Sequence, residues 1–130
     1  MSAPGQQEMK RILVAEDNEA IRELVTEILV SRGFHVIQAR DGHEALRQFE
    51  TEKPDLVLLD IQMPGLDGYS VMQAIRSKPA ASSIPLVALT GSAMNGDKEK
   101  ALQLGFNAYL AKPYRLASIV NLINQLLEKV

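Results

Sequence analysis

The sequence predicts an α/β fold built on a parallel, doubly wound five-stranded sheet with helices on both faces. Three observations lead there. Short apolar runs of strand length alternate with stretches of helical periodicity, giving five strand–helix units, (βα)5, in 130 residues. The runs LVLLD (56–60) and LVAL (86–89) are continuously apolar rather than alternating, which implies burial on both faces. No internal repeat appears, nor any linker long enough to separate two domains.

Taken in order, residues 1–9 are small and polar around Ala3-Pro4-Gly5 and are expected to form a flexible tail, with one domain over 10–130. RILVA (11–15) is the first strand. Ile21, Leu24, Val25, Ile28 and Leu29 fall at helical spacing within 19–32, and Gly33 stops that helix. HVIQA (35–39) is the second strand. Asp41 followed by Glu44 is a capping-box pattern that opens a helix through Ala45, Leu46 and Phe49, and Pro54 ends the segment. LVLLD (56–60) is the third strand, and Pro64-Gly65 and Asp67-Gly68 signal turns. A helix over 69–76 places Val71, Met72 and Ile75 on its core side; a loop over 78–83 precedes the fourth strand, 86–89. A helix over 96–104 is closed by Gly105, AYLA (108–111) is the fifth strand, and an amphipathic helix over 116–127 follows.

The chain is 46% hydrophobic and 23% charged with a formal net charge of -2, a balance that permits a full core and argues against wholesale disorder. No basic run or stripe suggests a nucleic-acid partner. The absence of cysteine excludes disulfides, thiolate metal sites and a Cys nucleophile. No apolar stretch approaches the roughly 18 residues that span a bilayer, so no membrane association is expected. Residues 1–7 lack a basic segment followed by an apolar one, so no secretory signal is expected and the cytoplasm is the expected compartment.

In such a sheet, ligands bind beyond the carboxyl ends of the strands, where strand order reverses. Glu16 and Asp17 follow the first strand, Asp60 terminates the third run, Thr90 follows the fourth and Lys112 the fifth, whereas the second contributes only Arg40-Asp41. Three carboxylates, a hydroxyl and an amine are therefore expected along one rim. Crowded carboxylates repel one another and are costly to desolvate, and a hard divalent cation such as Mg²⁺, which takes oxygen ligands and phosphate, relieves both problems. The same set suits phosphoryl transfer, with one carboxylate attacking phosphorus while the metal and the ammonium neutralise the phosphoryl oxygens. Taken singly, Asp17 would be a helix cap, Thr90 a β-branched strand residue and Lys112 a solvated cation; their joint placement is what points to a site.

The segments ILVAEDNEAIRELV (12–25), PDLVLLDIQMPGLDGYSV (54–71), IPLVALTGSA (84–93) and GFNAYLAKPY (105–114) resemble the response-regulator receiver family. The resemblance implies a flavodoxin-like fold with strand order 2-1-3-4-5. It implies Asp60 as phospho-acceptor and Mg²⁺ as cofactor, with Glu16, Asp17, Asp60 and the backbone carbonyl of Gln62 as its ligand set, Asp17 foremost. Thr90 and Lys112 would bind the phosphoryl group, Thr90 and Tyr109 would form the conformational switch, and a cis peptide would join Lys112 to Pro113, a form found in only ~5–6% of such bonds. The implied donor is a histidine kinase or histidine phosphotransfer protein, and the implied output is contact with a downstream target protein in two-component or phosphorelay signalling. Such a domain is not an enzyme in the ordinary sense, since it catalyses only its own phosphorylation and slow dephosphorylation. Ile21 and Leu24 are expected to be core residues by their helical spacing, and they also stand where receivers dock a donor's helical hairpin.

Some positions depart from the commonest pattern. Gly91 stands where Ala is more usual, which implies a more mobile loop, and Tyr114 where Phe is frequent. Gln62 and Ser92 line the family's route for the hydrolytic water. Asn107 replaces an acid typical of receivers that dimerise with a DNA-binding output domain, so a monomer is expected. His35 and His43 are expected to play ordinary structural roles. A phosphatase with an Asp nucleophile, as in the haloacid dehalogenase group, would need a second Asp where Gln62 stands, and no G-x-G-x-x-G or P-loop supports a nucleotide domain. The remaining rival is a receiver-shaped interaction module that acts without phosphorylation.

Overall fold

The computed structural model describes residues 9–81, 83–91, 96–111 and 115–128. Among these, strands and α-helices alternate as β1 (Arg11–Ala15), α1 (Glu19–Ser31), β2 (His35–Ala39), α2 (Gly42–Glu52), β3 (Leu56–Asp60), α3 (Gly68–Arg76), β4 (Leu86–Thr90), α4 (Asp97–Leu104), β5 (Ala108–Ala111) and α5 (Leu116–Glu128). The strands form one parallel sheet in the order β2-β1-β3-β4-β5, as expected. The order reverses between β1 and β3, so the switch point lies where β1 and β3 end.

Successive side chains of a strand point to opposite faces, and the two faces are buried by different helices. Leu13, Val57, Leu59 and Ala88 pack with Phe49 of α2, Val71, Met72 and Ile75 of α3, and Ala101 of α4. Ile12, Val14, Leu58 and Leu89 pack with Val25 and Leu29 of α1 and Ile119 and Ile123 of α5. This two-sided cover explains the continuous apolar runs of β3 and β4, every residue of which is buried. The edges differ: β2 exposes His35 and Gln38, and β5 is half-buried along its length.

Local chemistry sets the helix starts. The side-chain oxygens of Asn18, Asp41 and Asp67 accept hydrogen bonds from the Ile21, Glu44 and Ser70 amides at 3.0, 2.8 and 2.8 Å. The capping box at α2 is shifted by one residue. Glu44 Oε1 accepts from the Arg40 amide at 2.8 Å instead of the cap's own, and the Arg40 guanidinium, 3.3 Å from Oε2, draws the carboxylate back along the chain. Helix α3 begins at Gly68, one residue earlier than its apolar pattern suggests. A Cβ there would lie 2.5 Å from the Asp60 carbonyl oxygen and 2.6 Å from Ile61 Cα, so only glycine lets the helix seat against the end of β3. Helix α4 begins at Asp97, after Gly96 with φ 88°. The loop before β4 contains a 3₁₀ turn, Pro79–Ala81.

Candidate functional site

Chain continuation past β1 carries Glu16 and Asp17 to the switch point. Glu16 is fully buried; its N–H donates to the Ala39 carbonyl at 3.1 Å, and its Oε2 accepts from the Asn18 amide at 3.2 Å. Its carbonyl accepts from Arg22 Nη1 at 2.9 Å. Asp17 is exposed. Asp60 is 2% exposed and is the last residue of β3, not a loop residue, because the parallel ladder continues past it: the Ile61 N–H donates to the Leu89 carbonyl at 3.0 Å. Thr90 likewise ends β4 inside the sheet and is fully buried.

Glu16, Asp17 and Asp60 each bring a carboxylate oxygen within 4.8 Å of the others. Like charges held this close, two of them withdrawn from water, favour a hard divalent cation with oxygen ligands. The donor set therefore fits Mg²⁺. Immediately after Asp60 the chain turns back, and the Gln62 N–H donates to Asp60 Oδ1 at 2.8 Å, which fixes the carboxylate's orientation.

Tyr109, on β5, packs against the cluster that includes Met63, Val71 and Met72, beside Tyr69. Its hydroxyl is buried and makes no hydrogen bond of full geometry among the described residues. Burial raises the Tyr109 pKa and the Asp97 carboxylate adds to the rise, while a looser hydrogen bond with Thr90 acts the other way. Thr90 and Tyr109, paired in the expected switch, are thus in mutual reach.

Lys112, Pro113, Tyr114 and Ser92 lie outside the described residues, and so does the expected cis peptide. Gly91 is exposed. His35 and His43 are exposed and are not part of the acidic cluster. On α1, Ile21 is partly buried against the core, whereas Leu24 is 50% exposed and is therefore not a core residue: its position turns it outward, away from buried Val25 and Leu29. Asn107 is a brace, its Oδ1 accepting from the Leu86 amide at 2.8 Å and from Arg76 Nη2 at 2.6 Å.

Three contributors to the site escape sequence reasoning. The Gln62 amide is a backbone group, which any residue but proline supplies. Gly68 reads only as a turn signal. Arg22 sits among helix residues with nothing in its spacing to separate it from a solvated arginine, although it is 6% exposed.

The family model for the response regulator receiver domain matches residues 12–124. Among curated proteins, the polar-differentiation response regulator DivK of Brucella anthropi is 34% identical over 91% of this chain and 96% of its own length. The alkaline phosphatase synthesis transcriptional regulatory protein PhoP of Bacillus subtilis is 42% identical over 81% of this chain. The chain spans only 43% of PhoP and 49% of a probable transcriptional regulator of Cyanophora paradoxa. Among solved structures, the receiver domain of a sensor histidine kinase from Pseudomonas aeruginosa, with a magnesium ion coordinated in its active site cleft, is 36% identical at a TM-score of 0.84, covering 93% of this chain and 99% of that one. A response regulator from Chloroflexus aurantiacus superposes with a TM-score of 0.88 at 29% identity, covering 93% of this chain and 99% of that one. The matched sequence, the strand order and the acidic cluster at the switch point agree: the chain belongs to the response regulator receiver domain family, the phosphoryl-accepting switches of two-component signalling.

Proposed function

We propose that Asp60 is the residue that accepts the phosphoryl group. The observation that carries this assignment is its position: a carboxylate almost wholly withdrawn from water, at the end of the central strand, with Glu16 and Asp17 within 4.8 Å and one oxygen held by the Gln62 amide. Asp17, Glu16, Asp60 and the Gln62 carbonyl would hold Mg²⁺. That ion, when bound, supplies charge neutralisation for the phosphoryl oxygens. The donor is a phosphohistidine of a histidine kinase or phosphotransfer protein. An Asp60 carboxylate oxygen attacks phosphorus, the P–N bond breaks, and the imidazole leaves with the bonding pair and takes up a proton. Water later attacks the acyl phosphate, releasing inorganic phosphate and restoring the carboxylate. Thr90 donates a hydrogen bond to the transferred group and Lys112 pairs with its charge.

The switch follows from packing. Thr90 drawn toward new phosphoryl oxygens gives up its contact with the Tyr109 hydroxyl, changing the surface built by α4, β5 and α5 that a downstream target reads. Phosphorylation shifts a pre-existing equilibrium rather than creating a new state. Leu24, half exposed beside Ile21 on the helix that starts at the acidic cluster, offers an apolar contact to the donor.

Incubation with acetyl phosphate and Mg²⁺, read by intact mass, tests the assignment. The wild-type chain is expected to gain a single phosphoryl group, EDTA to suppress it, and Asp60→Asn to abolish it. An adduct that persists in Asp60→Asn would move the acceptor elsewhere. A wild-type chain that takes no phosphoryl group would favour the interaction module.

A further inference from the structure

Arg22 carries a full positive charge on the buried side of α1 and is 6% exposed. Burial of a guanidinium is unfavourable unless its donors are satisfied and its charge is balanced. Nη1 donates to the Glu16 carbonyl at 2.9 Å and Nε to Gln38 Oε1 at 3.0 Å. Both acceptors are neutral, but one of them is the backbone of a member of the acidic cluster. The cation thus lies against the cluster's own main chain.

The Glu16 carbonyl and the Asp17 N–H belong to one rigid peptide plane. The preceding plane is fixed by the Glu16 N–H bonding to Ala39 of β2 at 3.1 Å, and the following one by Arg22 of α1. Two elements therefore clamp Glu16 from opposite sides, and the second clamp sets the direction in which Asp17 leaves the sheet. The turn that presents Arg22 is itself held: its N–H donates to the Asn18 carbonyl at 2.9 Å, and Thr26 Oγ1 donates to the Arg22 carbonyl at 2.7 Å.

We propose that Arg22 is a positioning residue for the metal site: by holding the Glu16–Asp17 peptide it brings the two acids to Asp60 and raises the affinity of the cluster for Mg²⁺. The inference rests on the receiver function argued above. It differs in sign from a purely electrostatic role. A cation near a metal site repels the metal, so removing its charge alone would tighten binding. Loss of a group that orients ligands weakens binding, commonly by 10-fold or more.

The test is an amide-detected NMR titration with MgCl₂ on the whole chain, with hydrogen exchange measured separately in EDTA. Arg22→Met keeps much of the aliphatic stem and removes the donors. It is expected to bind Mg²⁺ about 10-fold more weakly and to exchange faster at the Asn18 amide, which donates to Glu16 Oε2, before any metal is added. Arg22→Lys keeps the charge but not the planar fork that reaches both acceptors, and is expected to fall between the two. Unchanged or tighter Mg²⁺ binding by folded Arg22→Met overturns the proposal. If that variant does not fold, wild-type affinity and exchange in Arg22→Lys overturn it instead. A wild-type chain that binds no Mg²⁺ would sink the receiver assignment itself, a result distinct from either variant's outcome.

Discussion

Gly68 leaves no room for a side chain where α3 meets the end of β3. Its absent side chain lets the first turn of α3 rest on the Asp60 carbonyl and on Ile61. In Gly68→Ala, backbone rather than a flexible side chain must yield. The expected loss is about 1–3 kcal/mol in urea unfolding, with slower phosphorylation by acetyl phosphate because the Asp60–Gln62 turn is displaced. Phosphorylation at the wild-type rate would show that the turn is not set by this contact. Asp60 itself is legible in the sequence, since a carboxylate ending a four-residue apolar run has few structural uses. Its orientation is not, because the Gln62 amide and Gly68 act through backbone. The phenols give a second expectation at this scale. Burial, with Asp97, raises the pKa of Tyr69 and of Tyr109 in the folded chain. Unfolded tyrosine titrates near pH 10, so the folded state binds more protons above that value. The stability tied to these phenols is fully present below pH 10 and is lost as pH rises through the folded values. Ultraviolet titration should find both phenols ionising late, and Tyr109→Phe should lessen the alkaline fall in stability. Late ionisation by neither phenol would contradict the packing around β5.

Among the elements, strands are where sequence and structure agree best. β1, β2, β3 and β5 have the bounds their apolar runs suggest, and β4 gains only Thr90. Burial from two sides leaves a strand few alternatives, so the signal is strong. Helix ends are less legible because they depend on tertiary partners: Gly68 joins α3 through its seat on β3, and Glu44 bypasses its cap for the Arg40 amide. The C-terminal end of α3 shows how a tertiary partner can be invisible in the sequence. Arg76 Nε donates to the Gly105 carbonyl at 3.1 Å, Nη1 to the Ala81 and Ile84 carbonyls at 3.2 and 2.8 Å, and Nη2 to Asn107 Oδ1. One side chain thus ties α3 to the segments entering β4 and β5, and burial lowers its pKa without removing its charge. Arg76→Met keeps the stem but orphans several carbonyls. It should cost about 3 kcal/mol in chemical denaturation and speed exchange of the Leu86 amide, whose acceptor Asn107 loses its brace. A loss below about 1 kcal/mol would mean that water replaces the guanidinium without penalty.

For the molecule as a whole, the parallel sheet and its reversal between β1 and β3 gather like charges that the chain's own fold must tolerate. The alternation of strands and helices made this rim legible from the sequence, because any doubly wound order collects the strand ends on one side. What the sequence does not reveal is that Glu16 and Asp60 are buried while Asp17 is exposed, since that depends on how α1 and α3 cover the strand ends. Repulsion among three carboxylates within 4.8 Å opposes folding, and a bound dication relieves it. Two opposite consequences follow for one substitution. In EDTA, Asp17→Asn removes a like charge at an exposed position, so the variant should melt at or slightly above the wild-type temperature. With Mg²⁺ at about ten times its Kd, the wild-type chain should gain about 1.4 kcal/mol, a rise of roughly 5 °C in Tm, and Asp17→Asn should lose most of that rise. Calorimetry or circular dichroism with and without MgCl₂ reads both at once, and NaCl at matched ionic strength removes general screening from the comparison. A variant that melts lower than wild type in EDTA yet keeps the full Mg²⁺ increment would show that Asp17 serves α1 as a structural residue and that the ion is held without it.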